Sequence, residues 1–407
     1  MSCRFPRSGT SKCTFMGGMR CVSRLGLFGA ASSMVAITDY RVSRLGRQCH
    51  RLRRQILARH MLGHELVDMA ELVRLYLRCR CEIRLMTGRR RTISMSSFNL
   101  NAFSKADGLS LFRFEPDDIG RVAGALAMRE ASSRRRYSVP GEEAMCIVLR
   151  RLSSPSRWRD LEVMFGRCAS ALSEVFIETV EDVLGRWGAC VTAWRTDLLE
   201  DRAVRYANCA AERGAPHDKV VGFIDGTGIR VARPGGGLQR CMYSSHKRDH
   251  VMKFQSVVAP DGLLFHLYGP VEGRRHDMTM YNESGMDNIL SENLIIDGVK
   301  YSIYGDKAYI LRLWMQVAYM GELTVEQEEY NAAMNALRIV VECGYKDLKQ
   351  VFSSLDYKRK LKLREGPCGL MYQAGVLLWN VRCCLYGSQT SQYFKCNPPS
   401  LEQYLQL

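Results

Sequence analysis

The chain has 407 residues, with 46% hydrophobic and 25% charged side chains, which is the balance of a globular protein long enough for two or three cores. No apolar run approaches the ~18–20 residues that a membrane-crossing helix needs. Its sixteen cysteines are scattered without a Cys-x-x-Cys pair, which excludes the framework of a small secreted scaffold and implies reduced thiols in an intracellular protein.

The net charge of +16 is uneven. Residues 1–100 hold 19 Lys/Arg against 5 Asp/Glu, residues 101–216 hold 17 of each, and residues 217–407 hold 22 against 20. Residues 1–60 therefore read as a basic, disordered arm, either simply solvated or in contact with a polyanion, to which arginine forks are suited. Residues 61–85 carry helical spacing, and 86–110 read as loop. A helix follows to about Met128, with Asp117 or Asp118 as its cap. Glu142–Ser153 continues the helical pattern until Pro155. A short helix over 157–165, a turn at Gly166 and a longer helix over 169–187 have the rhythm of a helix-turn-helix. The second of these helices is acidic (Glu174, Glu178, Glu181, Asp182), which favours a packed helical hairpin over a DNA reader. Residues 61–216 thus form an all-helical region.

After Pro216 the period changes from helix to strand. The apolar run 219–225 reads as a buried strand ending in Asp225, with Gly226 and Thr227 as a turn. HVMKFQSVVAPDG and LLFHLYGP follow at hairpin distance. A loop leads to a helix over about 278–290, then to the strand YSIYGDKAY, which reaches Asp306, and to a long helix over about 330–352. Three strands in short succession, a helix and a fourth strand describe a ribonuclease H-like α/β core, over 217–390, with 391–407 as a tail. In that topology the fourth strand lies parallel to the first, so Asp225 and Asp306 fall side by side. Two bare carboxylates in contact repel unless a cation intervenes, and an all-oxygen site suits Mg²⁺ or Mn²⁺. On the last helix Arg338, Glu342 and Lys349 share one narrow stripe, since 4 and 11 residues both return close to the same direction. Glu342 is a candidate third ligand; the alternative is an Arg338–Glu342 surface pair.

FIDGTG, GRRHD, GDKAY and the run Arg338-x3-Glu342-x6-Lys349 resemble the PIF/Harbinger transposases of the DDE endonuclease group, and thirty-five residues separate Asp306 from Glu342. The resemblance covers roughly residues 110–405. It implies Asp225, Asp306 and Glu342 as catalytic metal ligands, and brings in Asp277, which either shares the metal or caps a helix. It also implies phosphate contacts at His246, Lys247 and Arg248, with Arg338 and Lys349 beside them. Gly228 stands where the family usually has His, and Tyr345 where Phe is usual. The activity implied is two-metal cleavage and joining of double-stranded DNA in the nucleus, by a homo-oligomer helped by a Myb-like DNA-binding protein. Two alternatives stand beside it: a domesticated, non-cutting DNA-binding or scaffold protein, and a nuclease acting on RNA.

Overall fold

The computed structural model describes residues 98–133, 137–363 and 365–406, together with helical positions at 44–45, 47–48, 51–52, 55 and 75–79. Apart from those positions, the basic arm expected over 1–60 and the helices expected over 61–85 lie outside the described residues. The chain divides into two compact units, Met1–Ser94 and Met95–Leu407.

The second unit opens with helices. α1 (Lys105–Leu111) lies inside the stretch expected as loop, started by a capping box between Ser104 and Asp107. In α2 (Pro116–Ala125) Pro116 occupies the first helical position. Glu115 is therefore the N-cap, and Asp117 and Asp118 lie in the first turn rather than capping it. The region is not wholly helical: β1 (Ala131–Ser133) and β2 (Tyr137–Val139) pair as an antiparallel ribbon. α3 (Gly141–Ser153) and α4 (Trp158–Phe165) follow, and Gly166 turns the chain in the left-handed region, φ 62°, into α5 (Ala169–Trp187). α5 packs against α3 and α4, burying Leu172, Val175, Phe176 and Val180. It is a core helix, as its acidic surface implied. Arg167 fixes the turn by forking Glu143 at 2.6 and 2.9 Å. Three short helices, α6 (Ala189–Thr192), α7 (Thr196–Glu200) and α8 (Ala203–Glu212), lead to the sheet.

The sheet is built from β3 (Val220–Arg230), β4 (Tyr243–Ser244, after α9, Leu238–Met242), β5 (Asp249–Val258) and β6 (Leu264–Glu272). After α10 (Asp277–Glu283), α11 (Met286–Asn293) and a small ribbon of β7 (Ile295–Ile296) and β8 (Val299–Lys300), β9 (Ser302–Tyr304) and β10 (Met315–Gln316) complete it. The order is β10-β9-β3-β5-β4, with β6 also on β5. β9 is parallel to β3 and β10 to β9, while β5 and β6 run antiparallel. The result is a mixed sheet flanked by helices, with the fourth long-range strand beside the first, as the sequence implies.

One local expectation is corrected. β3 does not end at Asp225: it runs on to Arg230, pairing Asp225 with Ser256, Gly226 with Gln255 and Gly228 with Lys253. Gly226 and Thr227, expected as a turn, are strand residues. Only the parallel pairing with β9 stops nearby, at Phe223–Tyr304.

α12 (Val325–Val351) starts from a capping box of Thr324 and Gln327, five residues before the expected start. α13 (Cys368–Tyr386) is buried along most of its length and packs against both α5 and β6. α14 (Gln389–Phe394) and α15 (Leu401–Leu405) close the chain. Helices from the 98–212 region and the sheet share one continuous core, from Phe112 and Val148 to Phe223, Ile303 and Trp379. No break in packing separates them at residue 216, where the sequence suggested a boundary; the nearest division is at Ser94. α13 is the physical reason, because it belongs to both layers.

Candidate active site

The register places the acids. Phe223 lies opposite Tyr304 on the parallel neighbour. Two residues further along both chains bring Asp225 level with Asp306. β9 has ended by then, and Asp306 turns the chain, its Oδ1 accepting from the Ala308 amide at 2.8 Å. Gly305 permits the approach: a Cβ there would come within 2.7 Å of Tyr309 and 3.0 Å of Ile224.

The helix adds the third acid. Ser256, the cross-strand partner of Asp225, donates from its hydroxyl to the Tyr345 hydroxyl at 2.7 Å. Tyr345 is three residues from Glu342, hence on the same helix face. That buried bond pins the Glu342 turn of α12 to the strand position of Asp225. Arg338 Nη1 stands between the two carboxylates, 2.6 Å from Glu342 Oε1 and 4.0 Å from Asp225 Oδ1. The Asp225 side chain is 20% exposed and Glu342 40%. Burial, aided by the charges of Glu342 and Asp306 and opposed by Arg338, pushes the Asp225 carboxyl up to about 7. Asp225 therefore feels the charge of both other acids.

Asp277 takes a different place. A Cβ on Gly226 would come within 2.5 Å of Asp277 Oδ1. Neighbouring strand residues point to opposite faces. Asp277 thus covers the face that Asp225 points away from. It is the first residue of α10, whose N-cap is His276, so the capping role is not the one observed. Its partner is Lys253, at 3.4 Å. Gln255, fully buried, donates from Nε2 to the Asp277 carbonyl at 3.1 Å and to the Tyr309 hydroxyl at 3.0 Å. Tyr309 is buried, and burial together with the charges of Asp277, Asp225 and Asp306 raises its hydroxyl well above the ordinary range. Tyr309 closes the GDKAY motif, but Lys253 and Gln255 were not singled out in the sequence. Their signal was there: Lys253 and Gln255 interrupt an apolar strand at i and i+2, so they share one face.

His246, Lys247 and Arg248 lie exposed in the turn between β4 and β5. Lys247 reaches back over β3: its Nζ would be 3.1 Å from a Cβ on Gly228, so the missing side chain leaves the room it uses. Burial lowers Lys247, and the charges of Asp225 and Asp277 oppose that shift. Lys349 is lowered by burial and by the nearby cations Lys247 and Arg230. Lys247, Lys349 and Arg230 therefore form one basic group beside the acids. Arg338, expected near DNA, is here turned to carboxylates.

Among the described residues no group of three or more His, Cys, Asp or Glu side chains stands in a metal-holding arrangement. The donor chemistry nevertheless fits a hard cation: carboxylate oxygens alone, mutually repelling, with Arg338 supplying positive charge between two of them. A cavity of about 590 Å³ lies elsewhere, lined by Met242, Met252, Pro270, Pro367 and Leu370. An open acid face rather than a closed pocket is what a polymer substrate requires.

No curated protein and no solved structure matches the chain. Residues 224–380, a span that begins one residue before Asp225 and holds Asp277, Asp306 and Glu342, match the family model of the DDE superfamily endonucleases.

Proposed function

We propose that the protein is a transposase-type endonuclease of the PIF/Harbinger kind, cutting and joining double-stranded DNA on a ribonuclease H-like core. The observation that supports this reading is the parallel pairing of β3 with β9 up to Phe223–Tyr304, two residues short of Asp225 and Asp306, with the Glu342 turn of α12 tied to the Asp225 position by the Tyr345–Ser256 bond. Asp225, Asp306 and Glu342 would hold Mg²⁺, or Mn²⁺ in its stead. Such ions supply an activated water and neutralise charge on the leaving oxygen of a phosphodiester.

The rest falls to the chain's own groups. Lys247, Lys349 and Arg230 bind the phosphate backbone beside the cut and set its register. His246 and Arg248 extend that contact along the exposed turn. Gln255 and Tyr309 orient the loops that carry Asp277 and Asp306. Asp277, on the other face, holds Lys253 and so supports the site from behind. The basic residues of the first 60 positions add affinity for DNA. A Myb-like protein supplying sequence recognition, a homo-oligomeric assembly and action in the nucleus complete the reading.

Asp225→Asn, Asp306→Asn and Glu342→Gln are each expected to abolish Mg²⁺-dependent cleavage of duplex DNA while binding in a gel-shift assay persists. Full cleavage by any one of them removes that residue from the site. Wild-type protein that binds DNA yet never nicks it, with either metal, would instead favour a non-cutting scaffold.

A further inference from the structure

We propose that Arg338 is the resident counter-ion of the acid site, held between Asp225 and Glu342 until a divalent cation displaces it. This rests on the nuclease reading and concerns the state before metal arrives.

The geometry is that of a place-holder rather than of a structural arginine. Two arginines elsewhere in the fold grip a carboxylate with both arms of the fork: Arg167 holds Glu143 with Nε and Nη2, and Arg195 holds Asp197 with Nε and Nη2. Arg338 instead offers one nitrogen, Nη1, to two carboxylates. Its contact to Asp225 is at the outer limit of an ion pair, 4.0 Å. Its Nε is buried and has no hydrogen-bond partner among the described residues, as is also true of Arg150, Arg151 and Arg186. A single positive charge shared between two carboxylates offsets one of them; a divalent ion would offset both.

Arg338 lies four residues from Glu342, so its stem starts from the same stripe and can swing clear without moving the helix. Displacement makes metal and guanidinium competitors for the same oxygens. By linkage, removing one competitor strengthens the other.

The test is Tb³⁺ binding to the full chain, read by luminescence sensitised by protein aromatics, with Mg²⁺ as the competing ion. It is run at pH 8, where protons compete least for Asp225. Arg338→Gln is expected to bind Tb³⁺ more tightly than wild type, in the range of roughly 5- to 150-fold found for linked sites. Arg338→Lys, which keeps the charge without the shared Nη1, is expected to fall between them, and it carries the same sign should the Gln variant fail to fold. Equal or weaker binding by both variants overturns the proposal while leaving the nuclease reading intact. No site-specific Tb³⁺ binding by wild type, judged by its insensitivity to Asp225→Asn, overturns both.

Discussion

Gly226 decides where Asp277 can be. A methyl group there would stand 2.5 Å from Oδ1 and 2.9 Å from Cγ of Asp277, so the carboxylate must move. The obstacle is the far end of a side chain, and Gly226 sits in regular strand pairing, so the fold tolerates the change. Gly226→Ala is expected to leave the melting temperature within a few degrees of wild type. Cleavage should fall by up to ~100-fold, the scale of a misplaced group in a positioned site. A nicking assay beside a thermal melt separates the two effects; unchanged cleavage would place Asp277 outside the chemistry. His266 offers a second test at this scale, remote from the acids. It is 4% exposed, its Nδ1 has no hydrogen-bond partner among the described residues, and burial holds its pKa down at about 4. The unfolded chain takes up that proton near 6.5 and the native protein only near 4. Stability is therefore lost as pH falls through that window and is fully present above it. His266→Leu should flatten this part of the pH profile, worth on the order of 3 kcal/mol, in urea unfolding at pH 4.5 against pH 7.

At the scale of elements, a buried amide joins α13 to the sheet. Asn380 accepts from the Leu264 amide and donates to its carbonyl, each at 2.9 Å, and donates again to the Tyr404 hydroxyl. β6 gets at that point what a further strand would give it. Asn380→Leu keeps the volume but orphans both backbone groups, at about 1–3 kcal/mol each. A lowered urea midpoint without a changed slope would confirm the loss. Nothing in the sequence marked this bond, because a lone Asn in an apolar helix does not say which carbonyl it faces. The long elements were legible: apolar period gave β3, β5, β6 and α12, and their order gave the parallel placing of β9 beside β3. The continuation of β3 was not. Gly226 and Thr227 read as a turn because glycine usually marks one. Gly226 and Gly228 are both strand residues. Here they are in the strand for want of a side chain, which makes room for Asp277 and Lys247 on one face. Pairing with β5 satisfies their backbones, a long-range fact that local pattern does not carry.

Over the whole second unit, the helices before residue 216 are not an appendage of the sheet. Asp261, in the turn between β5 and β6, is completely buried. Burial pushes its carboxyl up, and four groups oppose that: Arg202 at 3.4 Å, the Tyr206 hydroxyl at 2.7 Å, the Leu263 amide at 3.1 Å and the charge of Arg205. Tyr206 and Arg202 belong to α8 and its N-cap. Removing one partner from such a buried pair costs about 3–5 kcal/mol, a large share of a domain's net stability. Cutting the chain at 217 would remove both, and would expose the face of α13 that α5 covers. A fragment of residues 95–407 is therefore expected to unfold in one cooperative transition, and a fragment of residues 217–407 to show none, by circular dichroism during urea titration. Tyr206→Phe in the longer fragment should lower its midpoint while keeping one transition, because Arg202 still faces the acid. A cooperative 217–407 fragment would mean that the sheet and α12–α15 hold the acid site without the helical layer.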